Sequence, residues 1–263
     1  EKQILVERHI ISREHAAKNS GSGLVLSKDE SISVMINEED HLRMQALLPG
    51  LQIKNAWLTI DKFDSHLEKG LEFAYSKKRG YLTACPTNLG TGIRVSAMLH
   101  LPGLVLSEQI NQIIQAVNKL GLAVRGLYGE GTEALGNVFQ VSNQMTLGET
   151  EADIVDRLNK VLLQLVDHEE NARIKLLEGK TKMLYNHIGR AYGILANAHS
   201  ISSKETMNLL SLLRLGIDMK MFPGTSHALI NELIIITQPA RLQKANNGKL
   251  SAEKRDLLRS DLL

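Results

Sequence analysis

"RGYLTACPTNLGTGIRVSAM", residues 79–98, contains Cys85, the only cysteine in a chain of 263 residues. A buried thiol serving as a small hydrophobe needs no special company. Here a proline follows directly, and Thr87, Asn88, Gly90, Gly92 and Arg94 come in quick succession. Thr87 and Asn88 can hydrogen-bond a thiol or thiolate. The glycines allow backbone to approach a ligand closely, and Arg94 offers a planar donor fork suited to phosphate. A turn around a buried thiol explains the same residues equally well. No histidine stands at a spacing that specifies a Cys–His dyad.

Composition narrows the setting. One cysteine excludes an internal disulfide framework and fits a reducing compartment, so a cytoplasmic protein is expected. No apolar run approaches the ~20 residues that span a bilayer, and no secretory signal is visible, so no membrane association is expected. The formal charge is only +2, with acids and bases interspersed, and aromatics make up 4% of residues. Neither a basic stripe nor a stacking platform marks a nucleic-acid partner. The histidines, His168 and His187 among them, lack metal-ligand spacing, so no protein-held metal is expected. The chain opens "EKQILVERHI" without an initiator methionine. It reads as starting mid-strand, and an N-terminal truncation is expected.

Residues 3–11 alternate enough to suggest a strand, and 12–23 read as a polar loop. Ile32, Val34 and Ile36 alternate with Ser31, Ser33, Met35 and Asn37 as a half-buried strand. "EEDHLRMQALL" then turns helical, and 56–76 show a helical apolar face that includes Leu58, Phe63 and Leu67. Ser107 is a candidate N-cap for the stripe Ile110, Ile113, Ile114 and Val117, which Gly121 ends. "LAVRG" and "NVFQVSN" read as strands around a Gly-rich loop. Thr150 and Asp153 form a capping box for a long amphipathic helix. From about Lys180 nearly everything is helical: 182–197, 203–214, and 226–237 capped by Ser226. The expected division is an α+β part over 1–178 and a helical part over 179–263. Trp57 is expected in the core.

Two further stretches carry chemistry. In "NEEDHLR" (37–43), Glu38 and Glu39 sit where a strand gives way to a helix. Like charges that close raise one another's pKa, so one can be poised as a base. On a helix Arg43 would share Glu39's face. Acids favoured at a helix start explain the same pair without chemistry, and His41 serves there as a structural hydrogen-bonder. In "VRGLYGEGTEALGN" (124–137), Arg125 leads a Gly-punctuated loop with Glu130 and Glu133. The Gly-Lys-Ser/Thr ending of a Walker loop is absent. Three arginines on separate loops, with carboxylates and one thiol, suit a triphosphate.

Taken together, "NEEDHLR", "CPTNLGTGIR" and "VRG…GE" resemble the phosphagen (ATP:guanido) kinases. "GYLTACPTNLGTGIR", "HLPGLVL", "GLYGEGTEALGN" and "KETMNLLSLLRLGID" are closer to the bacterial protein-arginine kinases, over essentially the whole chain. The resemblance implies an α+β fold, a curved antiparallel sheet flanked by helices as in glutamine synthetase, followed by an all-helical C-terminal domain. It implies ATP with Mg²⁺. Glu39 would be the base, supported by Glu38. Cys85 would flank the substrate guanidinium without forming a covalent intermediate, and Glu130 would be a second substrate-facing carboxylate. The nucleotide would meet His9, Arg43, Arg94 with the following Val95, Ser96, Ala97 and Met98, and Arg125 with Gly126, Leu127, Tyr128, Gly129 and Glu130. "RDLLRS" (255–260) resembles a phosphoarginine-binding regulatory motif, with Arg255, Asp256 and Arg259 as its readers. Ser260 stands where the family has alanine. Met98 stands where the phosphagen kinases have histidine, although protein-arginine kinases also tend to have methionine there. The family's S-x-R-x-R phosphate clamp belongs upstream of Glu1.

The implied partners are protein substrates, among them stress regulators and Clp protease clients, an activator protein, and a second copy in a homodimer. Two rival functions remain. One is a small-guanidino kinase that makes a phosphagen. The other is a non-catalytic phosphoarginine reader on a kinase scaffold.

Overall fold

The computed structural model describes residues 1–126, 134–246 and 248–263. The chain opens with two short helices, α1 (Lys2–Glu7) and α2 (Arg13–Ala17), and then an antiparallel sheet of β1 (Gly23–Leu26), β2 (Ile32–Ile36) and β3 (Leu42–Ala46). Met35, fully buried on the central strand, packs with Val6, Ile10 and Ile11. Residues 3–11 are therefore not a strand. Their apolar pattern is too short to separate the two periods, and packing beneath Met35 selects a helix that ends as His9 turns left-handed at φ 58. "EEDHLRMQALL" is not a helix either. Asn37, at φ 55, donates its amide to His41 O at 2.9 Å, which reverses the chain. Residues 42–46 then return antiparallel, with Arg43 opposite Met35.

Helix α3 (Ile53–Leu67) leads to a two-residue ribbon, β4 (Tyr75–Ser76) and β5 (Gly80–Tyr81), and on to a second three-stranded sheet. That sheet consists of β6 (Ser96–His100), β7 (Leu122–Gly126) and β8 (Val138–Asn143), with β8 in the middle. Between β6 and β7 run α4 (Pro102–Leu106) and α5 (Ile110–Lys119). Ser107 ends α4 instead of capping α5, because Glu108 enters the left-handed region at φ 62 and delays the next helix. One sheet face carries Ala97, Leu99, Val124, Phe139 and Val141, buried beneath α3, α5 and the long helix α6 (Glu151–Gly179). Trp57 packs on this core and donates its indole N–H to Glu151 at 2.9 Å. The strands are thus antiparallel and flanked by helices, as expected.

Thr150 caps α6 through the Asp153 amide. After Lys180 come α7 (Thr181–Asn197), α8 (Ser203–Asp218), α9 (His227–Ile236, capped by Ser226), α10 (Pro239–Ala245) and α11 (Ala252–Ser260). These helices dock on the sheet. Ser211 of α8 meets His100 Nε2 at 2.8 Å and accepts from Asn137 at 2.8 Å, and Asn208 accepts from the Gly136 amide at 3.0 Å. Buried Glu169 of α6 accepts from the amides of Gly103 and Leu104 at 2.7 and 2.9 Å. It also accepts from Arg173, which reaches Asp218.

The Cys85 segment is pinned at its ends. Tyr81 bridges Gly90, and the Thr146 hydroxyl donates to the carbonyls of Thr87 and Leu89 at 2.9 and 2.8 Å. Gly90 has φ 111, and a Cβ there would lie 2.4 Å from Thr146 O. This glycine is required by backbone packing rather than by a ligand. Gly90→Ala should cost about 1–3 kcal/mol from backbone conformation alone. Denaturant unfolding measures it, with Gly92→Ala as the milder control, since that glycine shares the left-handed backbone at φ 64 but its Cβ would meet nothing nearer than 3.9 Å.

Burial first, then the guanidiniums of Arg214 and Arg173, push His100 down to about 3. The unfolded chain binds that proton below about 6.5, whereas the folded chain does not. Folding stability is therefore fully present above pH 6.5 and falls as the pH drops toward the folded value. The stability advantage of wild type over His100→Asn should shrink between pH 7 and pH 5, measured as the difference in Tm.

Candidate active site

The turn at residues 37–41 places two adjacent glutamates in opposite surroundings. Glu38 is only 6% exposed. One of its oxygens accepts from the Ser12 hydroxyl and from Arg43 at 2.9 Å, and the other accepts from the Glu39 amide at 2.7 Å. Burial alone would raise this carboxyl. The bonds from Ser12, the Glu39 amide and Arg43 together hold it below the ordinary value. The expected mutual elevation of the two acids is thus not what governs Glu38, which is an ionised structural anchor. Glu39 lies exposed on the other side of that amide. An exposed carboxylate beside a rigidly held backbone suits a group that must meet a substrate.

The next residue, Asp40, accepts from the Ala84 amide at 2.6 Å. Ala84 immediately precedes Cys85. This bond ties the two stretches together with Glu39 and Cys85 one residue to either side. Cys85 is half-buried and reduced, and its Sγ lies 3.0 Å from Thr87 Oγ1. Thr87 is therefore its hydrogen-bonding neighbour, as the sequence suggested.

The arginines divide between the two sheets. Arg43 is on β3, not on a helix, and one edge of its fork is occupied by Glu38. Arg94 is exposed just before β6, and Arg125 lies on β7 opposite Gln140, which is also opposite Met98. Gln140 bonds Ser96 at 3.1 Å. Register and parity place Ser96, Met98, Gln140 and Arg125 on the sheet face away from the core, with Met98 40% exposed. Val95 and Ala97, expected near the nucleotide, point instead into or against the core. Their backbone is all they can offer a ligand. Gly126 is buried at the end of β7. Leu127, Tyr128, Gly129 and Glu130 lie outside the described residues.

His9 is half-buried, held below its usual value by burial and by Arg13. Its carbonyl accepts from Gln45 of β3 at 2.7 Å, fixing it to the first sheet. Among the described residues no group of three or more His, Cys, Asp or Glu could hold a metal ion. No helix of the described residues is long and apolar enough to cross a membrane.

The C-terminal motif divides unexpectedly. Arg259 is 1% exposed and donates to Thr237 O at 2.9 Å, Ile201 O at 2.8 Å and Asp256 at 2.5 Å. It holds the start of α8, the end of α9 and its own helix together. It does not share an open face with Arg255. Arg255 and Asp256 are half-buried and remain nearer the surface. Spacing on a helix made the two arginines look equivalent, and only tertiary packing separates them. Sequence reasoning also missed Ser12, Lys18, Asp40 and Thr146. Asp40 was visible as the third acid of "NEED", but nothing local marks Thr146.

Comparison with known proteins identifies the family. Residues 1–172 match the ATP:guanido phosphotransferase C-terminal catalytic domain, and 181–263 match the protein-arginine kinase C-terminal domain. The protein-arginine kinase of Halalkalibacterium halodurans is 51% identical over 262 residues, covering 100% of this chain and 74% of that protein. That of Bacillus subtilis is 48% identical, covering 100% and 72%. Among solved structures, lombricine kinase aligns over 64% of this chain and 50% of its own, at 26% identity and a TM-score of 0.55. The duplicated taurocyamine kinase of Schistosoma mansoni, solved with transition-state analogue components, aligns over 78% of this chain and 30% of its own, at 26% identity and a TM-score of 0.55. With both halves matched and half of all residues shared along its full length, the chain belongs to the ATP:guanido phosphotransferases and, within them, to the protein-arginine kinases.

Proposed function

We propose that Glu39 is the base and Cys85 the orienting group in transfer of the ATP γ-phosphoryl group to arginine side chains of proteins. The observation that carries this is the 2.6 Å bond between Ala84 and Asp40, which draws the exposed carboxylate and the thiol to one place. A guanidinium keeps its proton above pH 12 and is a poor nucleophile. As its nitrogen attacks the γ-phosphorus, the bond to the bridging oxygen breaks and ADP leaves. Glu39 takes the proton released by the nitrogen. Cys85 bounds the plane of the flat cation from a second side, with no covalent bond formed.

The remaining work is positioning and neutralisation of charge spreading over the phosphoryl oxygens. Arg94 and Arg125 suit that role from the open face of the second sheet, and Arg43 does so with the part of its fork that Glu38 leaves. His9 would border the nucleotide, and Glu130 would face the substrate. Mg²⁺ would arrive with the nucleotide as part of the substrate, since Mg²⁺ is commonly held by phosphates and water with few protein ligands. The catalytic part would span 1–178, and the helical part, 179–263, would serve dimerisation and phosphoarginine binding. Matches to two different family models at 1–172 and 181–263 support that division. A cytoplasmic setting, stress regulators and Clp protease clients as substrates, and an activator protein fit this reading.

Glu39→Gln should lower kcat by about 10²–10⁴ while nucleotide affinity barely moves. Phosphorylation of an arginine-bearing protein, with ATP binding measured alongside, tests it. Wild-type turnover by the variant would remove Glu39 from the role. At the other end of the chain, Arg255→Ala should weaken phosphoarginine binding and leave Tm nearly unchanged. Arg259→Met should destabilise the fold by about 3–5 kcal/mol, as breaking a buried ion pair does. Calorimetric titration and thermal unfolding of both variants separate the reader from the strut.

A further inference from the structure

The segment that precedes the first sheet, residues 12–21, touches the glutamate turn at three points. Ser12 donates its hydroxyl proton to Glu38 and accepts the His15 amide at 3.0 Å, so one hydroxyl both caps α2 and anchors the buried carboxylate. Lys18, at the end of α2, places its ammonium on two successive carbonyls of the turn, Asn37 O at 2.7 Å and Glu38 O. Gly21 O accepts from the Asn37 side chain at 2.8 Å. Asn37 itself sits at φ 55, a conformation that needs support from its surroundings. These bonds reach the backbone on both sides of Glu38. That carboxylate in turn holds the Glu39 amide.

We infer that Ser12 and Lys18 are positioning residues for Glu39, fixing the turn from which it reaches the substrate. The inference rests on Glu39 being the base. Ser12 acts through Glu38. Its proton occupies one lone pair of Oε1 beside Arg43, leaving Oε2 aimed at the Glu39 amide. Lys18 acts on the backbone itself, drawing the carbonyls of the two successive peptides that flank Glu38 to one side. Neither residue needs to touch the nucleotide or the guanidinium. Their effect should therefore fall mainly on the chemical step, with a smaller effect on nucleotide binding through Arg43, which shares Glu38 Oε1 with Ser12. Misplacement of a reacting group by about 1 Å costs as much as 10²-fold in rate.

The test is steady-state phosphorylation of an arginine-bearing protein by the intact gene product, with KM for ATP and Tm measured in parallel. Ser12→Ala is expected to lower kcat by about tenfold to a hundredfold with KM for ATP changed far less. Ser12→Thr, which retains both a cap and a donor, should restore it. Ser12→Asp separates the two roles. It still caps α2 but cannot donate to Glu38 and adds a like charge, so it should be worse than Ser12→Ala. Lys18→Met should reproduce the kcat loss. If Ser12→Asp works as wild type does, Ser12 is only a helix cap and the inference fails. It fails equally if kcat falls only in step with loss of folded protein. A Glu39→Gln control locates the fault. If that variant stays active, the assignment of the base is wrong and this inference goes with it. If it is inactive while Ser12→Ala and Lys18→Met turn over normally, only the positioning role is overturned.

Discussion

A charge taken out of water must be met by partners inside the protein, and this structure is organised around charges met in that way. Glu38, Glu169 and Arg259 are buried, and each stands where segments distant in sequence come together. Glu38 joins the loop after α1 to the turn before β3. Glu169 joins the middle of α6 to the first turn of α4, supplying acceptors for two amides that a helix start leaves unpaired. Arg259 joins the last helix to Thr237 and Ile201. Apolar packing would tolerate small slips at these junctions. A buried ion with three directed bonds does not, because each slip leaves part of a charge unsatisfied.

This constraint extends from the helical part to the sheet. Arg173 pairs with Glu169 within α6 and with Asp218 at the end of α8, and Asp218 also meets His227 at the start of α9. The same helix α8 carries Asn208 and Ser211, which hold Gly136 and Asn137 at the entrance to β8. The central strand of the second sheet, which places Gln140 between Met98 and Arg125, is therefore anchored from a helix some seventy residues later in the chain. The helical part is a buttress of this sheet as well as an appendage to it.

Much of this was legible in the sequence. The half-buried strand at 32–36, both strands around the Gly-rich loop, and the long capped helix from 151 follow from period, caps and glycines, all local signals. The glutamate pair, the thiol and the arginines were recognised through their motifs. What escaped was decided at long range. Residues 2–7 and 42–46 carry apolar patterns too short to choose a period, and burial under Met35 and pairing with β2 chose for them. Gly90 looked like a residue kept for a ligand, yet the atoms it accommodates belong to Thr146 and Leu147, more than fifty positions away. Arg255 and Arg259 looked alike on one helix, and the contact of that helix with Thr237 and Ile201 made them different.

The two adjacent glutamates show how a single turn produces two chemically distinct carboxylates. Side by side on a helix they would share solvent and raise one another. Here Asn37 reverses the chain, and the peptide between them becomes part of the partition. Its N–H, belonging to Glu39, is spent on Glu38, so the backbone that carries the exposed acid is one of the donors that keeps the buried acid ionised. The buried acid also occupies one edge of Arg43. A negative charge fixed in that way keeps the guanidinium oriented while leaving its other edge available. Placement of the exposed acid, ionisation of its neighbour and aim of an arginine thus follow from one buried carboxylate and its donors. The bond from Ala84 to Asp40 ties the Cys85 segment to the same turn.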